Sequence, residues 1–381
     1  MNVTILFFQK TQMKKFITLF AASIILFGCK KGPTGGVSVN NEPLSRIAFG
    51  SCCAQYIGDK KIFDRMLELD PQIYIAGGDN IYGDFFALAP GTRDYMEGAY
   101  SQLAGNTSFR NFRSKIPEIL PIWDDHDTGE NDGVVNNPVK GIAKELFFKF
   151  WKIPADAARH NRPDGAIYDS KYYGDDDHKV QIILLDLRWN HSPYKASGAG
   201  AALSGYDTIM DPNATILGAT QWSWLEDELR KPAKVRIIMS SLQFNSLYGG
   251  GENWAVLPLE KQKLIDLIKT TQANGVFFLS GDVHFAELTK TQPTGMYPIY
   301  DVTSSGITHH EDKVSPLNNS IRVGNGFQYV NFGFLDIDWN ASPVSIKMQV
   351  FGNTIGSGPN GTLTSADAKI SHTVTLDELK F

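Results

Sequence analysis

Ile73-Tyr74-Ile75-Ala76-Gly77-Gly78-Asp79-Asn80-Ile81-Tyr82 is the stretch on which the fold class turns. An apolar run ends in glycine and an acid, as where a strand runs into a loop. The pattern recurs twice. Ile119-Leu120-Pro121-Ile122-Trp123 leads into Asp124-Asp125-His126-Asp127, and Val276-Phe277-Phe278-Leu279 into Gly281-Asp282-Val283-His284. In open α/β sheets the loops leaving the carboxyl ends of strands form the binding crevice. Three such loops bearing Asp, His and Tyr are expected to converge. Converged carboxylates raise one another's pKa, and cations are the natural remedy, so a metal site is the leading reading.

Outward from these loops, strand and helix signals alternate. Arg46-Ile47-Ala48-Phe49 reads as a strand entering Gly50-Ser51-Cys52-Cys53. Ile62, Met66 and Leu69 mark one helix face. Ile142, Leu146 and Phe150, beside Ala143, Phe147 and Trp151, mark another. Val180 to Leu185 and Val235 to Met239 fit buried strands. Trp222, Leu225 and Leu229 give a helix, and Pro258 opens one that Gly275 follows. Beyond Asp282 the chain is strand-rich: Tyr297 to Val302, Tyr329 to Trp339, Val344 to Phe351 and His372 to Leu376. No strong helix separates these strands, which favours antiparallel pairing. The expectation is one α/β domain, 44–381, α+β in its last third.

The composition is that of a folded protein: 42% hydrophobic and 20% charged residues over 381 positions. A formal net charge of -5 and the lack of a basic run argue against a nucleic-acid-binding face. Residues 1–28 read as a signal segment. Met13-Lys14-Lys15 is the expected start, and an apolar run from Phe16 to Phe27 is too short to span a bilayer. Leu26-Phe27-Gly28-Cys29 resembles a bacterial lipobox, which makes Cys29 the expected lipidation site and 29–43 a lipidated tether. The chain is then expected to be exported and membrane-anchored, on the periplasmic or cell-surface side of a bacterial envelope. An ordinary cleaved signal or a buried anchor is the alternative. Cys52 and Cys53 are adjacent, too close for an ordinary disulfide, which leaves metal ligation or inert burial.

Taken singly the acidic motifs are weak. Asp79 and Tyr82 can reach one ion from one turn, and a phenolate suits a trivalent cation; Tyr82 as a packed aromatic is the plain alternative. Asp125-His126-Asp127 joins carboxylates to a possible acid or charge stabiliser, or is a solvated loop. Asp282 and His284 alternate along an extended segment, so both aim inward only if the backbone bends there.

Together the motifs resemble the PhoD-like alkaline phosphatases of the metallophosphoesterase superfamily. Phe49-Gly50-Ser51-Cys52, Gly78-Asp79-Asn80-Ile81-Tyr82, Trp123-Asp124-Asp125-His126-Asp127, Leu185-Asp186-Leu187-Arg188, Gly281-Asp282-Val283-His284 and Thr303-Ser304-Ser305-Gly306-Ile307-Thr308-His309 carry the resemblance. It implies a calcineurin-like four-layer αββα sandwich of two mixed sheets flanked by helices. It implies Fe³⁺ held by Cys52, Asp79, Tyr82 and His284. Asp79 would bridge to a Ca²⁺ site completed by Asp125 and Asp282, other divalent metals being alternatives. His126 stands where the superfamily contacts substrate phosphate. Arg188 is expected to be a phosphate clamp. Asn80, Asp124, Asp127, Gln243 and His309 are expected behind the ligands or in the substrate pocket. The superfamily's Asp, Asn and His are replaced here by Cys52, Asp125 and Gln243. The amino-terminal β-sandwich of some members is expected to be absent, and Cys53 reads as a buried thiol.

The implied activity is metal-dependent hydrolysis of a phosphate ester by a metal-activated water, with a monoester as first expectation. A phosphodiesterase or phospholipase using the same site is one rival. A lipoprotein that binds phosphate or metal without catalysis is the other. No Gly-x-Ser-x-Gly elbow supports a serine hydrolase.

Overall fold

Alternate residues of β1 (Arg46–Gly50) serve two different cores: Ile47 and Phe49 join one, Ala48 the other. The same division splits β2 (Ile73–Gly77), where Ile73 and Ile75 face one core and Tyr74 and Ala76 the other. A strand with both faces buried must lie between two layers, and this is the plan of the whole protein. The computed structural model describes residues 42–57, 60–84, 91–197, 205–247, 251–311, 314, 319–352 and 365–381. The expected signal segment, Cys29 and most of the tether lie outside them.

One sheet runs β12-β11-β10-β1-β2-β3. Here β3 is Glu118–Ile122, β10 Asn331–Asp338, β11 Ser345–Gly352 and β12 Ile370–Thr375. β1, β2 and β3 are parallel; β10, β11 and β12 join antiparallel. The other sheet runs β4-β5-β6-β7-β9-β8, with β4 Asp169–Tyr173, β5 Val180–Leu184, β6 Val235–Met239, β7 Val276–Ser280, β8 Ala286–Thr291 and β9 Ile299–Ser304. The outer face of the first sheet carries α1 (Ile62–Leu67), α2 (Arg93–Gly105), α3 (Thr107–Lys115) and α5 (Lys140–Trp151), whose Met66, Met96, Leu103, Phe112 and Leu146 pack with Tyr74 and Phe334. α6 (Gly218–Arg230) and α7 (Pro258–Thr271) bury Trp222, Leu225, Leu264 and Ile268 in the core shared with the second sheet. The architecture is the expected four-layer sandwich of two mixed sheets.

Two expectations are corrected. Leu69 lies beyond the end of α1. The motif helix α4 (Asp125–Thr128) is a single turn begun by Asp124, where a plain loop was expected. The strands after Asp282 that pair with one another, β8 with β9, β10 with β11 and β11 with β12, do so antiparallel as expected, and β9 also pairs in parallel with β7, which precedes Asp282.

The central strands of both sheets end side by side. Ser51 forms a parallel bridge with Ser305, its N–H donating to Ser304 O at 3.1 Å. Gly281 N–H donates to Ser241 O at 2.8 Å, and Cys53 N–H to Asp79 O at 2.7 Å. These cross-links draw the loops after β1, β2, β6 and β7 together. Trp123, fully buried, pins the loop after β3 by donating from Nε1 to Asp186 Oδ1 at 2.9 Å.

Candidate metal centre

Eight non-glycine residues among those described have positive φ, and Cys52 (61°), Asp79 (49°), Asp282 (71°) and His284 (59°) are four of them. Left-handed backbone is unfavourable for residues with a Cβ, and clustered outliers mark sites where function over-determines the conformation. The kink turns each of these side chains out of the strand alternation. For Asp282 and His284 it is the bend the sequence required. Gly78 (φ 107°) makes the approach possible, since a Cβ there would lie 2.7 Å from Asp124 Cβ.

The side chains so aimed converge. Cys52, Asp79 and His284 each offer a donor atom within 4.8 Å of the others, and so do Asp79, Asp125 and His126, and Asp124, Asp125 and Asp282. Cys52 Sγ lies 3.4 Å from Asp79 Oδ2 and 3.1 Å from Ser305 Oγ. Tyr82 OH stands 3.0 Å from His284 Nε2, a hydrogen-bond distance and equally the edge of a shared coordination sphere. Ser305 Oγ also accepts the His284 N–H at 2.8 Å, so one hydroxyl fixes two candidate ligands.

The electrostatics of the metal-free site are unfavourable. Burial, then Cys52 and Asp125, push Asp79 well above the usual carboxylate range. Burial, then Asp124 and Asp125, do the same to Asp282. Burial lifts Cys52 to about 12 and lowers His284 to about 4. Asp79 Oδ1, Asp124 Oδ2 and Asp125 Oδ1 are buried without a hydrogen-bond partner, and such oxygens are costly. Bound cations satisfy them directly. The donor set divides chemically: thiolate, imidazole and phenolate on one side suit a transition metal, and carboxylates on the other suit a hard cation. The residues present therefore fit metal ions of these two kinds.

His126 stacks on Tyr82 with ring centroids 4.1 Å apart. Its Nδ1 is held by both oxygens of Asp84, at 2.9 and 2.8 Å. Burial opposes its charge, but Asp125 and Asp84 lift it to about 9. Against burial, His126 and Arg188 hold Asp125 down at about 2. Asp125 and Asp84 thus favour the charged imidazolium of His126, whose Nδ1 is fixed from behind.

Two expected roles are corrected. Arg188 is buried, 1% exposed, and its guanidinium faces carboxylates. Nε binds Asp124, Nη1 and Nη2 fork onto Glu252 at 2.6 and 3.1 Å, and Nη2 lies 3.4 Å from Asp125 and 3.8 Å from Asp282. An arginine so engaged is the counter-charge of the carboxylates and not a free phosphate clamp. Gln243 donates to Glu287 Oε1 at 2.9 Å and Thr303 Oγ1 at 3.0 Å, which places its amide in a separate buried network.

Residues 47–328 match the family described as PhoD-like phosphatase. The chain belongs to that family. Alkaline phosphatase D of Bacillus subtilis (strain 168) is 23% identical over 240 residues, 58% of this chain and 40% of that protein. The match therefore spans well under half the length of that relative. A solved structure of PhoD superposes with a TM-score of 0.70 at 18% identity, covering 89% of this chain and 71% of that one; the likeness is one of fold.

Within this PhoD-like frame the remaining expected residues find places. Asp127 accepts N–H bonds from Asn80 backbone and side chain, both 3.1 Å, and from Asp124 at 3.0 Å. Asn80 and Asp127 thereby lock the Asp79 and Asp125 loops together. Asp124 lies among the carboxylates, one oxygen held by Arg188 and by Ser241 at 2.8 Å. His309 stacks on His284 at 3.9 Å. Cys53 is buried in the outer core, and burial pushes its thiol up to about 11. Sequence reasoning missed Asp84, Ser305, Asp132 and Glu252. Asp125, Asp132 and Glu252 form a further group whose oxygens lie within 4.8 Å of one another. Asp84 had a signal, the acid two residues past Tyr82 in the same loop. Glu252 had none, since only the fold carries it to Arg188.

Proposed function

We propose that the protein is a metal-dependent phosphoric ester hydrolase. The observation that carries this reading is the convergence of Cys52, Asp79, Tyr82, Asp125, Asp282 and His284 from loops remote in sequence, with buried carboxylate oxygens left without partners. Cys52, Asp79, Tyr82 and His284 would hold a transition metal, proposed as Fe³⁺. Asp79, Asp125 and Asp282, with Asp124 beside them, would hold a hard cation, proposed as Ca²⁺. Bound there, the metals supply Lewis acidity and an activated water.

The chain's own residues do the rest. Asp79 joins the two halves of the site. Asp84 holds His126 at Nδ1, leaving Nε2 to donate a proton to the leaving oxygen or to contact a phosphoryl oxygen. Arg188 keeps the carboxylates from repelling one another apart while metals are absent. Asn80 and Asp127 hold the two loops in register.

A phosphomonoester is the first expectation from the family. One observation favours a second reading, a phosphodiester: with Arg188 engaged by Asp124 and Glu252, the cation expected to meet a dianionic monoester is not available to it. Hydrolysis of aryl monoesters and diesters by the same metal-loaded preparation separates the two. No turnover of either by protein containing its metals would favour a non-catalytic binding lipoprotein.

Export and anchoring through acylated Cys29 belong to the same proposal, supported by Leu26-Phe27-Gly28-Cys29 behind an apolar run. Cys29→Ser is expected to move the protein from the membrane fraction to the soluble one. Unchanged fractionation would rule the anchor out.

A further inference from the structure

Four rings form a column through the site. His126 lies against Tyr82 at 4.1 Å between centroids, Tyr82 against His309 at 5.1 Å, and His309 against His284 at 3.9 Å with planes 30° apart. His309 thus lies against both aromatic candidate ligands without standing in any of the donor clusters around Cys52, Asp79 and Asp125. Its Nδ1 is buried and has no hydrogen-bond partner, so no bond from that atom fixes the ring. Its backbone is tied instead: the N–H groups of Thr308 and His309 both donate to Cys52 O at 3.1 Å. Four residues upstream, Ser305 Oγ meets Cys52 Sγ at 3.1 Å and accepts the His284 N–H at 2.8 Å. One short segment, Ser305 to His309, therefore bears on Cys52, Tyr82 and His284 at once.

We infer that His309 is a positioning residue that holds the Tyr82 phenol and the His284 imidazole in line by the packing of its ring, not by its nitrogens. The inference rests on the metal-dependent reading of this site. Stacked rings prefer offset, near-parallel contact at such distances. The His284–His309 geometry is of that kind, and Tyr82 meets the same ring at a tilt of 57°. Removal of the ring takes away a packing contact shared by Tyr82 and His284, whose OH and Nε2 lie 3.0 Å apart.

The test compares full-length protein with His309→Ala and His309→Phe, each loaded with ferric iron. Three readouts are taken: iron retained per chain, the visible phenolate-to-iron charge-transfer absorption, and kcat and KM for an aryl phosphate ester. Expected is a shifted or weakened band and a kcat about 10–100-fold lower in His309→Ala, as slight misplacement of reacting groups costs, with KM little changed. In His309→Phe the band and kcat return close to wild type. A His309→Phe variant as impaired as His309→Ala overturns the inference, because the ring nitrogens would then matter. So does a His309→Ala variant identical to wild type. If wild-type protein itself shows no charge-transfer band, the ligand reading of Tyr82 fails, and this inference with it. Failure confined to the variants leaves that reading standing.

Discussion

The Tyr82 hydroxyl stands 3.0 Å from Nε2 of His284, across 202 positions of sequence. One follows β2 in the first sheet and the other follows β7 in the second. Their meeting is the point at which the two halves of the sandwich become one site. Each arrives by a different device: Tyr82 lies three residues beyond left-handed Asp79, and His284 is itself left-handed at φ 59°.

Asp79 belongs to two of the donor groups, one with Cys52 and His284 and one with Asp125 and His126. Asp79→Asn is expected to lower turnover by about 1,000-fold or more, as loss of preorganised charge at a reacting centre does. The metal-free variant is expected to be at least as heat-stable as the metal-free parent, since a buried carboxylate held far above its usual range is removed. Normal turnover by a metal-loaded Asp79→Asn protein would refute the assignment.

Asp84 touches His126 and stands in none of the candidate donor groups. Asp84→Asn is expected to reduce kcat about 10–100-fold, the usual effect of removing a carboxylate behind a functional histidine, with metal content unchanged. It also removes one of the charges that raise His126 to about 9, so the imidazole titration followed by NMR in metal-free protein moves to lower pH. An unchanged titration would mean that Asp84 does not govern this ring.

Arg188 makes a prediction that separates its two roles. As a buried counter-charge, its loss in Arg188→Gln leaves uncompensated carboxylates and costs about 3–5 kcal/mol of stability, read as a lower urea midpoint. As a phosphate clamp its loss would raise KM in a protein of normal stability. The contacts with Asp124 and Glu252 predict the first outcome.

Metal removal sets a pH dependence whose sign follows from Asp79 and Asp282. Both are held, by burial first, well above the ordinary value of 3.8. A carboxyl group with a raised folded-state pKa stabilises fully below its unfolded value, and that contribution is lost as pH rises towards the folded value. The metal-free protein should therefore melt at progressively lower temperature as pH increases above about 4. Reloaded protein should lose much less over the same range. Parallel melting curves with and without metal would contradict the charge account.

Much of this was legible in the chain. Val235–Met239 and the faces of α5 and α6 could be read because uninterrupted apolar runs and 3.6-residue spacing have single physical explanations. α2 was missed although Met96, Ala99, Tyr100 and Leu103 follow helical spacing behind a Thr92 cap. β4 was harder, since Asp-Ser-Lys-Tyr-Tyr is a half-exposed edge strand with no apolar run. The candidate ligands stood out because acids followed strand endings. Arg188 was misjudged because sequence cannot show that Glu252, 64 positions away, takes its fork. Gln243 was misplaced for the same reason: its partners Glu287 and Thr303 are brought to it only by β8 and β9.

The most direct test is elemental analysis of purified wild-type and Asp79→Asn protein, with ester hydrolysis measured before and after chelation. The account predicts tightly held metal in the wild type, its loss or sharp depletion in the variant, and activity that vanishes with chelation and returns on reloading. Wild-type protein stripped of metal that still hydrolyses esters at full rate would contradict it.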